Sequence, residues 1–442
     1  MQLPSLLGHA QELLLTIRNS DRPADSLIDT FFRSRKYLGS RDRRFLAETT
    51  YGTLRHLRRC EVLLWKGLEG TKAEIGREDG FLLVIVTYLI AVVRKTDLLT
   101  NDVVVKLQSP LLKELAPDLL QRLSSPEMVP IQDPVERLGV LHSFPDWLVE
   151  RFIREYGEEE AEKMLASLNE QAPITLRVNT LKTTVEECRK ALQREEVETT
   201  PTGLSPFGLE LPKRANIFQM QAFRDGFFEV QDEGSQLLPL LIDPKPTAKL
   251  LDACAGAGGK TLAFAALMKN RGEIVATDVN KFRLEELRKR ARRGGVFNVR
   301  SREIADVVDL VGDQNGTFDV VFLDAPCSGL GTIRRNPGIK WTVTEETISE
   351  LSAKQRHILE SAAPLVKKGG RLVYATCTFL REENEEVVED FLRRSPGFSP
   401  LPPEGYLSKW NLLHLASGSY IRLLPHRDGT DGFFCAVLER NS

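Results

Sequence analysis

The chain is sparing with cysteine. It has only 6 in 442 residues, widely dispersed, with no Cys-x-x-Cys pair and no zinc-ligand spacing. A disulfide framework and a cysteine-based metal site are both unexpected, and a reducing compartment suits such thiols. Long apolar runs are also missing. The longest, Phe81 to Val93, is interrupted by Thr87 and is shorter than a bilayer span, so it reads as a buried helix. The N-terminus lacks a charged region followed by an apolar stretch and a small-residue cleavage site, and a cytoplasmic protein is the expectation. Strong net charge is absent too. At -2 the whole molecule has no general attraction for polyanions, so any such contact must come from local basic patches.

What remains is an ordinary folded composition, with 42% hydrophobic and 28% charged residues, on a chain long enough for two or three domains. Residues 1–140 carry apolar residues at helical spacing, as in Leu13, Leu14 and Ile17 or Leu27, Ile28, Phe31 and Phe32. Turn signals at 19–23 and 38–42 separate them, with Ser40 a candidate helix N-cap. Pro126, Pro130, Pro134 and Pro145 mark a linker. Residues 146–227 read as a small α+β module, with strands at 175–179 and 208–211 and a helix at 184–194. From 228 to 442 strands and helices alternate, which predicts a mostly parallel, doubly wound sheet with its ligands beyond the C-terminal strand ends.

The first such strand runs into Asp252-Ala253-Cys254-Ala255-Gly256-Ala257-Gly258-Gly259-Lys260-Thr261. A P-loop needs glycine where Cys254 stands, and a dinucleotide fingerprint needs glycine at Thr261. An S-adenosyl-L-methionine site fits better, because Asp278 ends the next strand about 20 residues on, in the position that bonds a ribose. A tight strand–helix turn with Asp278 as a helix N-cap is the plain alternative.

Two further strands end in thiols. The strand 318–324 leads to Asp324-Ala325-Pro326-Cys327, and 371–377 ends in Thr376-Cys377. Both belong at the same sheet edge. Cytosine carbon 5 is too weak a nucleophile to take a methyl group directly. A thiolate adding to carbon 6 makes it enamine-like, and this covalent catalysis needs an acid, for which Asp324 is placed, and a cation such as Lys260. Cys60, Cys188, Cys254 and Cys435 read as inert core residues.

These motifs resemble those of the bacterial 16S ribosomal RNA cytosine-5 methyltransferases that carry a NusB-like N-terminal domain. The resemblance covers nearly the whole chain and rests on 251–261, 323–341 and 374–384, with 231–236 and 176–180 in support. It implies three parts: an all-helical NusB-like domain, a small α+β RNA-contacting module, and a Rossmann-like α/β class I AdoMet-dependent methyltransferase domain. It implies Cys377 as nucleophile and Cys327 as the residue assisting product release, with Asp324 and Lys260 holding the cytosine. The cofactor set is then Cys254, Ala255, Gly256, Gly258, Gly259, Lys260, Asp278, Arg283, Asp306 and Asp324, with no metal. The family's Gly-Asp pair reads Ala305-Asp306 here, and its serine after the nucleophile is Thr378.

Basic clusters lie at 33–59, with nine Lys or Arg against two acids, at 281–302, with nine against two, and at Arg334, Arg335 and Lys340. They suit a phosphate backbone or a solvated face balanced by acids elsewhere. Arg177 and Asn179 join the expected RNA contacts by resemblance, and Trp341 or Phe379 could stack on a base or pack in a core. Ribosomal RNA is the expected partner of a monomer with no membrane association and no obligate protein partner. The same chemistry on tRNA or another ribosomal RNA site, a non-catalytic RNA-binding protein, and an enzyme acting on DNA or a small molecule are the competing readings.

Overall fold

The computed structural model describes residues 1–441 apart from 21, 23, 72–74, 100–102, 105, 108, 126–129 and 214. Asp21 and Pro23 of the first turn signal and Pro126 of the linker therefore lie outside the described residues. The chain divides into two compact units, Met1–Glu170 with Ile333–Val343, and Gln171–Thr332 with Thr344–Ser442.

The first unit is helical. Leu3–Arg18, Ala24–Ser34, Ser40–Arg55, Leu57–Gly67, Arg77–Thr87 and Pro110–Ser124 enclose one apolar core that includes Leu7, Leu13, Leu46, Cys60, Leu83 and Ile85. The apolar run 81–93 is helical as expected, but its last turn, Tyr88–Val92, widens into a π-helix. Ser40 is the first helical residue rather than the cap. Gly39 holds the cap position, and its N–H donates to the Asp42 carboxylate at 3.3 Å. Helices Asp146–Tyr156 and Glu158–Leu168, expected in the bridging module, pack with this unit. Arg58 donates to the Phe144 carbonyl at 2.7 Å and to Asp146 Oδ1 at 2.5 Å, which draws the boundary at 170.

In the second unit, β1 (Ile174–Val178), β2 (Thr200–Pro201), β3 (Gly208–Leu211) and β4 (Phe228–Val230) form an antiparallel sheet in the order β2-β3-β1-β4. Helix Val185–Arg194 packs on it through Cys188 and Leu192. Its start is set by a capping box, in which Thr184 and Glu187 satisfy each other's backbone N–H groups.

The larger sheet holds β5 (Lys249–Asp252), β6 (Glu273–Asp278), β7 (Val299–Glu303), β8 (Phe318–Asp324), β9 (Val366–Thr376), β10 (Phe398–Pro400), β11 (Ala416–Ser417), β12 (Tyr420–Leu423) and β13 (Phe433–Arg440). The main order is β11-β12-β13-β9-β8-β5-β6-β7, parallel from β7 to β9 and antiparallel at β13. The central strands are apolar on both faces. Leu250, Val320 and Phe322 enter one core and Leu251, Val321 and Leu323 the other, which follows from the two-residue period of a strand covered on both sides. Strand order reverses between β5 and β8. That crevice is where an open α/β sheet binds its ligands, and both the glycine-rich turn and Asp324 open onto it.

Candidate active site

The turn after β5 has the backbone geometry of a cradle. Gly256 and Gly258 sit at φ +54° and +83°, and a Cβ at Gly258 would lie 2.5 Å from Leu287 Cγ. Only glycine suits that position. Helix Gly259–Leu267 then begins with its N-terminus at the turn.

Asp278, at the end of β6, holds the turn from the side. Its Oδ2 accepts from Gly256 N at 2.8 Å, while Oδ1 accepts from Asn280 N at 2.8 Å. The N-cap of the following helix is Asn280, whose Oδ1 accepts from Phe282 N and Arg283 N. Asp278 is thus no simple cap. Beyond it lies a cavity of about 500 Å³ lined by Val279, Arg302, Glu303, Ile304, Ala305 and Asp309. Asp306 does not line it. Its carboxylate caps the turn at Val308 and receives His357 Nε2 at 2.9 Å, so its expected adenine contact has no support in the geometry. Arg283 is exposed one turn into the helix. Ala255 and Gly259 lie in the cradle itself, and burial pushes the Cys254 thiol up, as suits an inert residue.

Asp252 is a buried acid that sequence reading passed over. Thr261 Oγ1 donates to its Oδ2 at 2.6 Å, while Oδ1 is buried without a hydrogen-bond partner. Burial raises its pKa to about 7. A buried acceptor at the floor of the cradle, a pinned glycine turn and an adjoining cavity fit a nucleoside with a charged amino-acid tail.

At the reaction end, Lys260 Nζ donates to Asp324 Oδ2 at 2.6 Å. Burial alone would depress this lysine, but the Asp324 charge and hydrogen bond outweigh it and raise the pKa, with Cys377 adding in the same direction. The β8 and β9 ends bring the two expected thiols together. Cys327 Sγ and Cys377 Sγ are 3.4 Å apart, and Cys377 N donates to Cys327 Sγ at 3.4 Å. The hydrogen bond to Cys377, then burial, then the charges of Cys377 and Glu383 hold the Cys327 thiol well above its ordinary range. Cys60, Cys188 and Cys435 are buried core residues. Among the described residues no cluster of His, Cys, Asp or Glu could hold a metal ion.

Most of the expected RNA contacts are structural instead. Arg177 is buried, and its guanidinium donates to Gln231 Oε1 and, at 2.6 Å, to the Gly259 carbonyl. It ties β1 to the cofactor cradle. Asn179 Nδ2 donates to the carbonyls of Gly226 at 2.9 Å and Gly294 at 2.8 Å. Lys340 is 1% exposed, with Nζ on the carbonyls of Arg55 and Ser143 and on Asn169 Oδ1 at 3.1, 3.2 and 2.6 Å. Arg334 is buried, and its own carbonyl accepts from Arg55 at 2.7 Å; Arg335 is half-buried. A phosphate cannot reach Arg177 or Lys340, buried cations whose donors are spent inside the fold. Trp341 Nε1 donates to the Leu54 carbonyl at 2.7 Å, and Phe379 is buried, so both aromatics pack rather than present a face to RNA.

Comparison with known proteins agrees with this geometry. Residues 239–439 match the model of the 16S rRNA methyltransferase RsmB/F family, and 144–218 match that of the RsmF/B-like ferredoxin-like domain. That second match begins where the sequence places the bridging module, although packing assigns its first helices to the helical unit. The chain is 33% identical to the probable ribosomal RNA small subunit methyltransferase B of Synechocystis sp., over 97% of this chain and 98% of that one. It is 37% identical to the Bacillus subtilis protein of the same description, over 73% and 72%. The crystal structure of PH0851 superposes with a TM-score of 0.77 at 29% identity, covering 98% of this chain and 99% of that one. With its helical N-terminal part, its Rossmann-like sheet and its paired thiols, the chain belongs to the RsmB/F family of AdoMet-dependent rRNA cytosine-C5 methyltransferases.

Proposed function

We propose that the protein methylates carbon 5 of one cytosine in 16S ribosomal RNA through a covalent adduct between Cys377 and carbon 6. The observation that carries this reading is the 3.4 Å pair of thiols just beyond the ends of neighbouring parallel strands, beside the Lys260–Asp324 ion pair.

Bound AdoMet supplies a methyl group already activated as an electrophile. Asp278, the Gly256–Gly259 turn and Asp252 are the residues that hold it. The rest is done by side chains at the β8 and β9 ends. Asp324 bonds the N3 and amine edge of the base and favours its protonated form, while Lys260 keeps Asp324 in place and offers positive charge to the Cys377 thiolate. Cys377 attacks carbon 6, which makes carbon 5 electron-rich. After methylation carbon 5 gives its proton to water, and the electrons of that C–H bond re-form the double bond as the carbon–sulfur bond breaks. Cys327, held as a thiol against Cys377 Sγ, assists that release and reprotonates the leaving sulfur. The cytosine leaves its helix to reach these groups.

The exposed basic face of helix Lys281–Gly294 and the basic helix Ser40–Arg55 support RNA as the substrate. No helix among the described residues is long and apolar enough to cross a membrane. Action on ribosomal RNA as a monomer in the cytoplasm is part of the same proposal.

The test is methyl transfer from labelled AdoMet to deproteinised 16S RNA, tRNA and single-stranded DNA, with nucleoside analysis of the product. 5-Methylcytosine in 16S RNA alone is expected. Labelling of tRNA alone contradicts the ribosomal substrate, and no transfer to an RNA that binds contradicts the enzyme.

A further inference from the structure

Glu383 lies in the short turn Arg381–Glu383 and is 0% exposed. Its carboxylate meets four donors. Oε1 accepts from Ser328 N at 2.8 Å and Gln355 Nε2 at 3.1 Å. Oε2 accepts from Ser328 Oγ at 2.5 Å and Thr378 Oγ1 at 3.0 Å. The two hydroxyls are themselves 2.9 Å apart. Ser328 follows Cys327 in the chain, and Thr378 follows Cys377. One buried carboxylate therefore grips the residue after each thiol. Gln355 extends the grip, since the same Nε2 donates to the Pro326 carbonyl, just before Cys327, at 2.9 Å. The turn is fixed in its own right, because Tyr374 Oη donates to the Glu383 carbonyl at 2.5 Å.

Burying a carboxylate is costly unless its oxygens are fully bonded, and a strand-to-turn junction could be closed with apolar residues at less cost. The arrangement makes sense if it sets the distance between two atoms that must exchange a proton. We propose that Glu383 is the positioning residue of the reaction: it clamps the two cysteine turns together and so sets the Cys327–Cys377 separation. It touches neither base nor cofactor. Its charge also helps hold the Cys327 thiol up, so the carboxylate that places Cys327 favours its proton-bearing form. This inference rests on the roles given to Cys377 and Cys327 above.

The test uses the full chain with Glu383→Gln, Thr378→Val and Thr378→Ser. Proximity is read without catalysis, from the rate at which diamide, a two-electron thiol oxidant, takes the two thiol hydrogens and closes a Cys327–Cys377 disulfide, identified by peptide mapping. Removing the Glu383 charge would by itself ease ionisation of Cys327 and speed closure, so slowing reports position. Glu383→Gln is expected to close about tenfold more slowly and to lose about 100-fold in kcat, the scale of a misplacement near 1 Å, with RNA KM and AdoMet affinity unchanged. Thr378→Val is expected to move the same way by less, and Thr378→Ser to behave as wild type. Should Glu383→Gln fail to fold, the Thr378 pair decides. Wild-type closure and kcat in Glu383→Gln, or in Thr378→Val where that pair decides, overturn the proposal. Slowed closure in variants of a wild type that transfers no methyl group supports the clamp and contradicts the functional reading instead.

Discussion

Cys327 Sγ and Cys377 Sγ face each other across 3.4 Å, from residues fifty positions apart in the chain. Two thiols so close cannot both ionise readily, because the second thiolate would form against the charge of the first. The hydrogen bond, burial and the neighbouring charges push Cys327 up, which makes it the slower of the two to react as a thiolate. Brief iodoacetamide treatment at pH 8 should therefore label Cys377 before Cys327 by about tenfold or more. In Cys377→Ser, Cys327 should gain reactivity. Equal labelling in the wild type, read by peptide mass spectrometry, would contradict unequal roles.

Lys260 and Asp324 form the charged floor of the reaction site. Asp324→Asn leaves a mostly buried ammonium with a weaker partner and should cost about 1–3 kcal/mol of stability and about 100-fold or more in kcat. The sign with pH follows from Lys260, whose pKa is raised from 10.5. Its contribution is complete below the ordinary lysine value and is lost only as pH rises through the higher folded value. The gap between wild type and variant, followed by urea unfolding, should stay level from pH 6 to 9.

Asp252 behaves in the opposite sense from most surface acids. Burial raises its pKa to about 7 from 3.8, so the fold favours the protonated form. Its contribution is present below pH 3.8 and disappears as pH rises through about 7. Asp252→Asn keeps an acceptor for Thr261 and has no charge to bury. It should gain on the wild type between pH 5 and pH 8 by about 2 kcal/mol in denaturant unfolding. An unchanging difference across that range would rule out Asp252 as the source.

Lys340 should act on folding rather than on RNA affinity. Its Nζ satisfies three oxygen acceptors and lies 3.8 Å from the Phe144 ring centroid. Lys340→Met should destabilise the helical unit by about 2–4 kcal/mol, because buried acceptors are left unpaired. The salt dependence of RNA binding should keep its slope, since no phosphate contact is lost. A slope reduced by about one, with unchanged stability, would restore Lys340 to the RNA surface.

The parts of this protein that could be read from sequence share a physical cause. Strands β3, β6 and β8 lie at the residues expected, because each is a short apolar or alternating run stopped by an acid, glycine or proline. The convergence of Asp324, Cys327 and Cys377 followed from parallel strands ending at one edge. Strand β7, Val299-Arg300-Ser301-Arg302-Glu303, was not legible, since an exposed edge strand needs no apolar face. The antiparallel strands β11 and β12 are too short to leave a pattern. Charge misled at Arg334 and Lys340, because sequence does not distinguish a solvated cation from a buried one. Glu383 was hidden for the converse reason. It stands among the acids of 382–390, and only the fold turns it inward onto Ser328 and Thr378.

The central claim is that Cys377 is the atom that joins the RNA. It is tested most directly by incubating the protein and AdoMet with 16S RNA containing 5-fluorocytosine at its methylation site. Fluorine occupies the place of the proton that must leave, so the adduct should persist through denaturing electrophoresis. Peptide mapping should place the nucleotide on Cys377. A nucleotide on Cys327, or no adduct with an RNA that is methylated when unsubstituted, would contradict the account.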